Sequence, residues 1–128
     1  MATIKSYTDL DQSKKLARIL PLESADMYWW SSGKRYYIEA MDDGDFNEKE
    51  GHVRAWSLAA LLEQLPYEVC DDDGVSWYLK MDKGDDVYQL IYIKNNYGFT
   101  ENIHTDMHEH FVDACYELIL KLHELNLL

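Results

Sequence analysis

The chain is expected to fold as a two-layer α+β domain: an antiparallel sheet with about three helices packed on one face, in the order α-β-β-α-β-β-β-α. Three observations carry this. From Thr105 to Leu125, Met107, Phe111, Ala114, Cys115, Leu118, Leu122 and Leu125 recur at steps of three and four, the stripe of an amphipathic helix. From Val75 to Ile103 apolar residues fall in short β-forming runs separated by Asp, Asn and Gly, as in a strand meander. Connections this local imply antiparallel pairing, with the helices laid over one face. With 128 residues, 47% hydrophobic and 13% aromatic, residues 1–128 are long enough for one domain with its own core and too apolar for disorder.

The elements follow in order. Thr8 reads as an N-cap, with Asp9 and Asp11 in the first turn where the helix dipole favours them. Leu10, Ser13, Leu16, Ala17 and Leu20 then keep helical spacing until Pro21. Met27–Trp30 and Arg35–Met41 are rich in β-formers and flank Ser31-Ser32-Gly33-Lys34, a hairpin turn. The segment 42–52 is polar and acidic, an exposed loop. Ser57 caps a short helix whose buried edge is Leu58, Leu61, Leu62 and Leu65, and Pro66 ends it. A weak strand at Tyr67–Cys70 precedes the meander. Val75, Trp77, Leu79 and Met81 alternate with Ser76, Tyr78 and Lys80; Asp82-Lys83-Gly84-Asp85 turns into Val87–Ile93; Asn95-Asn96 turns again into a strand near Tyr97–Ile103.

The charge excludes several function classes. The net charge is −12, and it is uneven: four basic residues face two acidic ones in the first twenty, eight face 22 in the rest. Such a field repels nucleic-acid backbones and anionic membranes, so direct binding to either is not expected. No stretch approaches the roughly 18 apolar residues of a membrane span, and the first residues lack a signal-peptide core, so the protein is read as cytoplasmic. Cys70 and Cys115 form no spacing pattern; reduced thiols are expected, Cys115 as a small core residue.

Chemical motifs are thin. Asp43, Asp45 and Asn47 match the first ligand positions of a calcium loop, but Glu48 replaces the turn glycine and Arg54 the bidentate glutamate. His104, His108 and Asp106 are weak metal candidates: Thr105 is the natural cap of the last helix, which leaves His104 outside it, and no helical His-Glu-x-x-His is present. There is no serine elbow, phosphate-cradling loop or dinucleotide fingerprint. Neither catalysis nor a cofactor is expected.

The excess lies in the aromatics, ten tyrosines and four tryptophans. Tyr36, Tyr78, Tyr88, Tyr92 and Tyr97 are expected to line the sheet face away from the helices. An aromatic sheet beside basic loops would suit single-stranded RNA, but here the loops are acidic. Aromatics ringed by Asp43, Asp45, Asp72, Asp73, Asp85 and Asp86 suit a protein partner, and such a face is also suited to a homodimer.

Three further stretches carry a resemblance: Asp11–Leu16 leading into Leu20–Met27, Trp56–Leu62 at mid-chain, and Asp113–Ile119 near the end. Together they resemble a family of short acidic hypothetical proteins of gut bacteria and their prophages and mobile elements, over nearly the whole chain. The resemblance implies no activity, cofactor or site residue, only a setting in which small cytoplasmic proteins act on other proteins. The expected function is therefore a non-enzymatic protein-binding accessory module. A second expectation is an inhibitor mimicking nucleic acid, with Asp42, Asp43, Asp45, Asp71, Asp72, Asp73, Asp82, Asp85 and Asp86 standing in for phosphates on one face. A third is a metal-dependent enzyme on the two histidines and Asp106.

Overall fold

The structure, a computed structural model, describes residues 4–41, 44–96 and 99–128. Among these residues the elements run α1 (Leu10–Leu16), β1 (Met27–Ser32), β2 (Arg35–Ala40), β3 (Val53–Ala55), α2 (Leu58–Glu63), β4 (Glu68–Cys70), β5 (Ser76–Lys83), β6 (Tyr88–Asn96), β7 (Phe99–His104) and α3 (Phe111–Glu124). Every strand pairing is antiparallel, and the class is α+β. The strands are shared between two sheets, β2-β1-β3 and β4-β5-β6-β7. Strand β3 was not legible: three residues with an arginine in the middle are too short to show a period of two.

Helix α3 lies over β6, and α2 lies beside α3. Its stripe of Val112, Ala114, Cys115, Leu118, Ile119 and Leu122 is fully buried, together with Leu16, Trp56, Leu61 and Tyr92. Burial on this scale is what holds a helix that could not persist alone. The hairpin turns where expected, with Gly33 at φ +67° in the Gly-X sequence that two-residue turns favour.

Three boundaries differ from the sequence reading. The last helix starts at Phe111, not Thr105, so it has about four turns. Thr105 is buried beside β6, exchanging hydrogen bonds with Leu90: its N–H donates to Leu90 O (3.0 Å) and its Oγ1 accepts from Leu90 N (3.1 Å). Met107 and Leu125, expected on the stripe, fall outside the helix and are exposed. At the first helix the cap is Asp9, not Thr8. Asp9 Oδ1 accepts from Gln12 N (2.8 Å) and Gln12 Oε1 accepts from Asp9 N (3.1 Å), a capping box. Asn95 and Asn96 continue β6 rather than turning it. The Ser57 cap is as expected, its Oγ accepting from Ala60 N (3.2 Å).

Candidate protein-interaction surface

Strand alternation decides which side chains of the second sheet reach solvent. Trp77 and Leu79 on β5, and Tyr88, Leu90 and Tyr92 on β6, face α3 and pack in the core. The other side of the sheet carries cross-strand rows: Glu68, Tyr78, Ile93 and Asn102 in one, and Lys80, Ile91 and His104 in the next. Tyr78 is 43% exposed there, and Tyr67 beside it is 72% exposed, their rings 5.7 Å apart. Sequence reading missed Tyr67, because a residue between Pro66 and a three-residue strand shows no period.

The tyrosines expected on one surface are thus divided. Tyr92 is fully buried, its hydroxyl donates to Pro66 O, and burial pushes its pKa up. Tyr88 packs edge-on against Phe111, ring centroids 5.2 Å apart. Both belong to the core face because they share the parity of Leu90. Tyr36 is exposed but lies on β2 in the other sheet. Tyr97 and Asp43, with Asp42, lie outside the described residues.

The carboxylates are divided as well. Asp72 and Asp73 sit in the turn before β5, and Asp85 and Asp86 in the turn after it. Eight residues of strand separate the two turns, about 25 Å at roughly 3.3 Å per residue. Asp86 takes the left-handed conformation, φ 59°, that this turn imposes. Asp45 lies in the loop after β2, where Glu48 pairs with Arg54 (3.3 Å). The Arg54 guanidinium also donates to Leu20 O (3.2 Å) and Ala17 O (2.9 Å) at the end of α1, which ties that loop down. Asp71 is structural. It accepts from Val75 N and Asp73 N (both 3.0 Å), Trp77 Nε1 (3.1 Å) and Lys94 Nζ (3.2 Å). The Val75 N–H, with the Trp77 and Lys94 donors, outweighs desolvation and holds its carboxyl at about 2.

His104, His108 and Asp106 do not converge. His108 Nε2 lies 2.7 Å from Glu117 Oε1, and Glu117 also takes the Asp106 N–H (3.0 Å) and Lys121 Nζ (3.1 Å). Burial pushes the Glu117 carboxyl up, but these hydrogen bonds from His108, Asp106 and Lys121 prevail and hold it below its ordinary value. His104 is on the outer face of β7, its Nδ1 3.1 Å from Thr105 O. Among the described residues no three His, Cys, Asp or Glu side chains come together as a metal-holding group. The network instead fastens segment 105–110 to α3. Both thiols are free, Cys70 exposed and Cys115 buried. Among the described residues no helix is long and apolar enough to cross a membrane.

Compared with family models, curated proteins and solved structures, the chain matches none.

Proposed function

We propose that the chain is a non-enzymatic protein-binding module of phage or mobile-element accessory type, working in the cytoplasm through the outer face of its second sheet. The observation that carries this reading is the exposed pair Tyr67 and Tyr78, with the half-buried Ile93 opposite Tyr78 on the neighbouring strand. Tyrosine contributes large rigid contact area at a small entropic cost, which is why it anchors interfaces. The acidic turns at both ends of β5 supply a charged rim around that apolar centre. The partner that fits is a protein with an apolar or aromatic patch bordered by basic residues.

A nucleic-acid mimic needs its carboxylates in one continuous row. With the two aspartate turns at opposite ends of β5, the aromatic reading is the better supported. The test is a lysate pull-down at low and high salt with the natural chain, a Tyr67→Ser/Tyr78→Ser variant and a Tyr36→Ser control. A partner that survives high salt and is lost only in the double variant is the expected result. Unchanged retention by the double variant would refute it. Basic nucleic-acid-handling proteins that wash off with salt would favour the mimic.

A further inference from the structure

We propose that β2 is a self-pairing edge: two copies join antiparallel through Arg35–Ala40, with Tyr37 on the two-fold axis, merging two three-stranded sheets into one of six. Among the described residues β2 pairs only with β1 and forms the border of its sheet. Its residues are exposed throughout except for the half-buried Ile38. It contains no proline, the residue that most simply blocks an edge.

The parity of the hairpin fixes which backbone groups are available. A two-residue turn makes Ser32 and Arg35 a hydrogen-bonded pair, and alternation then directs the polar groups of Arg35, Tyr37 and Glu39 toward β1. The Met41 N–H donating to Asp26 O (2.9 Å) continues the same parity. The N–H and C=O groups of Tyr36, Ile38 and Ala40 therefore point away from the sheet, toward an incoming strand.

The register follows from charge. Two-fold antiparallel pairing must set outward residues opposite outward residues. Centred on Tyr37, it sets Tyr36 against Ile38 of the second copy and Ile38 against Tyr36, both hydrogen-bonded pairs. On the other face Arg35 meets Glu39 of the second copy, and Glu39 meets Arg35, while Tyr37 faces its own copy. Glu39 is already oriented by the Tyr28 hydroxyl, which donates to it at 3.1 Å. Centring instead on Tyr36 or on Ile38 sets Arg35 against Tyr37 or Met41 and loses both ion pairs. A strand whose charges complement its own reversed sequence specifies a second copy of itself and disfavours strands of other sequence. A closed two-fold pair also removes an edge that would otherwise recruit strands at random.

Sedimentation velocity over micromolar to hundreds of micromolar protein tests this with charge reversals. Both positions are exposed, and circular dichroism checks that each variant folds. The natural chain is expected to move toward dimer as concentration rises. Arg35→Glu alone and Glu39→Arg alone each create like-charge pairs and should weaken self-association about tenfold. An equimolar mixture of the two variants should restore it, since every Arg then meets a Glu. Amide exchange at Tyr36 and Ile38 should slow with concentration, while that at Arg35 and Tyr37, already bonded to β1, should not change. A monomer at every concentration, single reversals that sediment like the natural chain, or a mixture that fails to restore association would each overturn the proposal. The outer face of the second sheet takes no part, so Tyr67→Ser/Tyr78→Ser should leave self-association unchanged.

Discussion

Replacing Thr8 by valine should destabilise the fold far more than the near-identity of the two side chains suggests. Thr8 is fully buried. Its Oγ1 accepts the Trp56 N–H (3.1 Å) and shares a hydrogen bond with Ser13 Oγ (2.7 Å), while its backbone N–H donates to Trp56 O (2.9 Å). Valine keeps the shape and β-branch but leaves the Trp56 N–H and the Ser13 hydroxyl without their acceptor or donor. A buried polar group left unsatisfied costs about 1–3 kcal/mol. Two such groups sum to about 2–6 kcal/mol, and because Ser13 retains a longer contact to Thr8 O (3.5 Å) the expected total lies at the low end, about 2–3 kcal/mol. Thr8→Ser keeps the hydroxyl and loses one methyl, about 1 kcal/mol. The assay is urea unfolding followed by tryptophan fluorescence. With a slope of about 1.5 kcal/mol/M, Thr8→Val should lower the midpoint by roughly 1.3–2 M and Thr8→Ser by about 0.7 M. A valine variant within about 0.5 kcal/mol of the natural chain, or a serine variant less stable than the valine one, would refute the reasoning.

Three further outcomes are expected. Asp71 holds a folded pKa of about 2, below its ordinary value, so its contribution is complete above the unfolded pKa and is lost as pH falls toward the folded one; Asp71→Asn should flatten the dependence of the urea midpoint on pH between about 5 and 2. Cys70 should react promptly with a thiol reagent, whereas Cys115, buried and pushed up to about 12 by desolvation, should react only on unfolding; equal rates for the two would contradict the core placement. Leu118→Ala, at a fully buried position on the inner face of α3, should cost about 2–5 kcal/mol by cavity formation, read as a lower denaturation midpoint with an unchanged slope.

Legibility in the sequence followed the range of the interaction concerned. The Ser57 cap and the Gly33 hairpin depend on residues two to four apart and stand as read; the alternation along β5 holds at Trp77 and Leu79, while Met81, on the same face, is half exposed near the strand's end. From the sequence Thr8 and Thr105 both read as helix caps, because Thr before acidic residues carries that local meaning. In the structure their hydroxyls are bound to Trp56, 48 residues away, and to Leu90, 15 residues away. The candidate surface divided along the same line. That Tyr78 points away from Trp77 and Leu79 was visible in the alternation. That Tyr88 and Tyr92 point inward was not, because β6 is apolar at nearly every position and its two faces are indistinguishable without α3.

By itself, the sequence determined the α+β class, most strand-and-helix identities, the antiparallel connections and the acidic surface, since each follows from composition or from spacing within a few residues. Tertiary structure alone decided that there are two sheets, that Tyr67 joins Tyr78, that the aspartate turns stand at opposite ends of β5, and that β2 is a border strand. Each of those depends on which strand lies beside which. A backbone hydrogen bond is the same for every residue, so strand partners are selected by packing over long chain separations rather than by any local pattern.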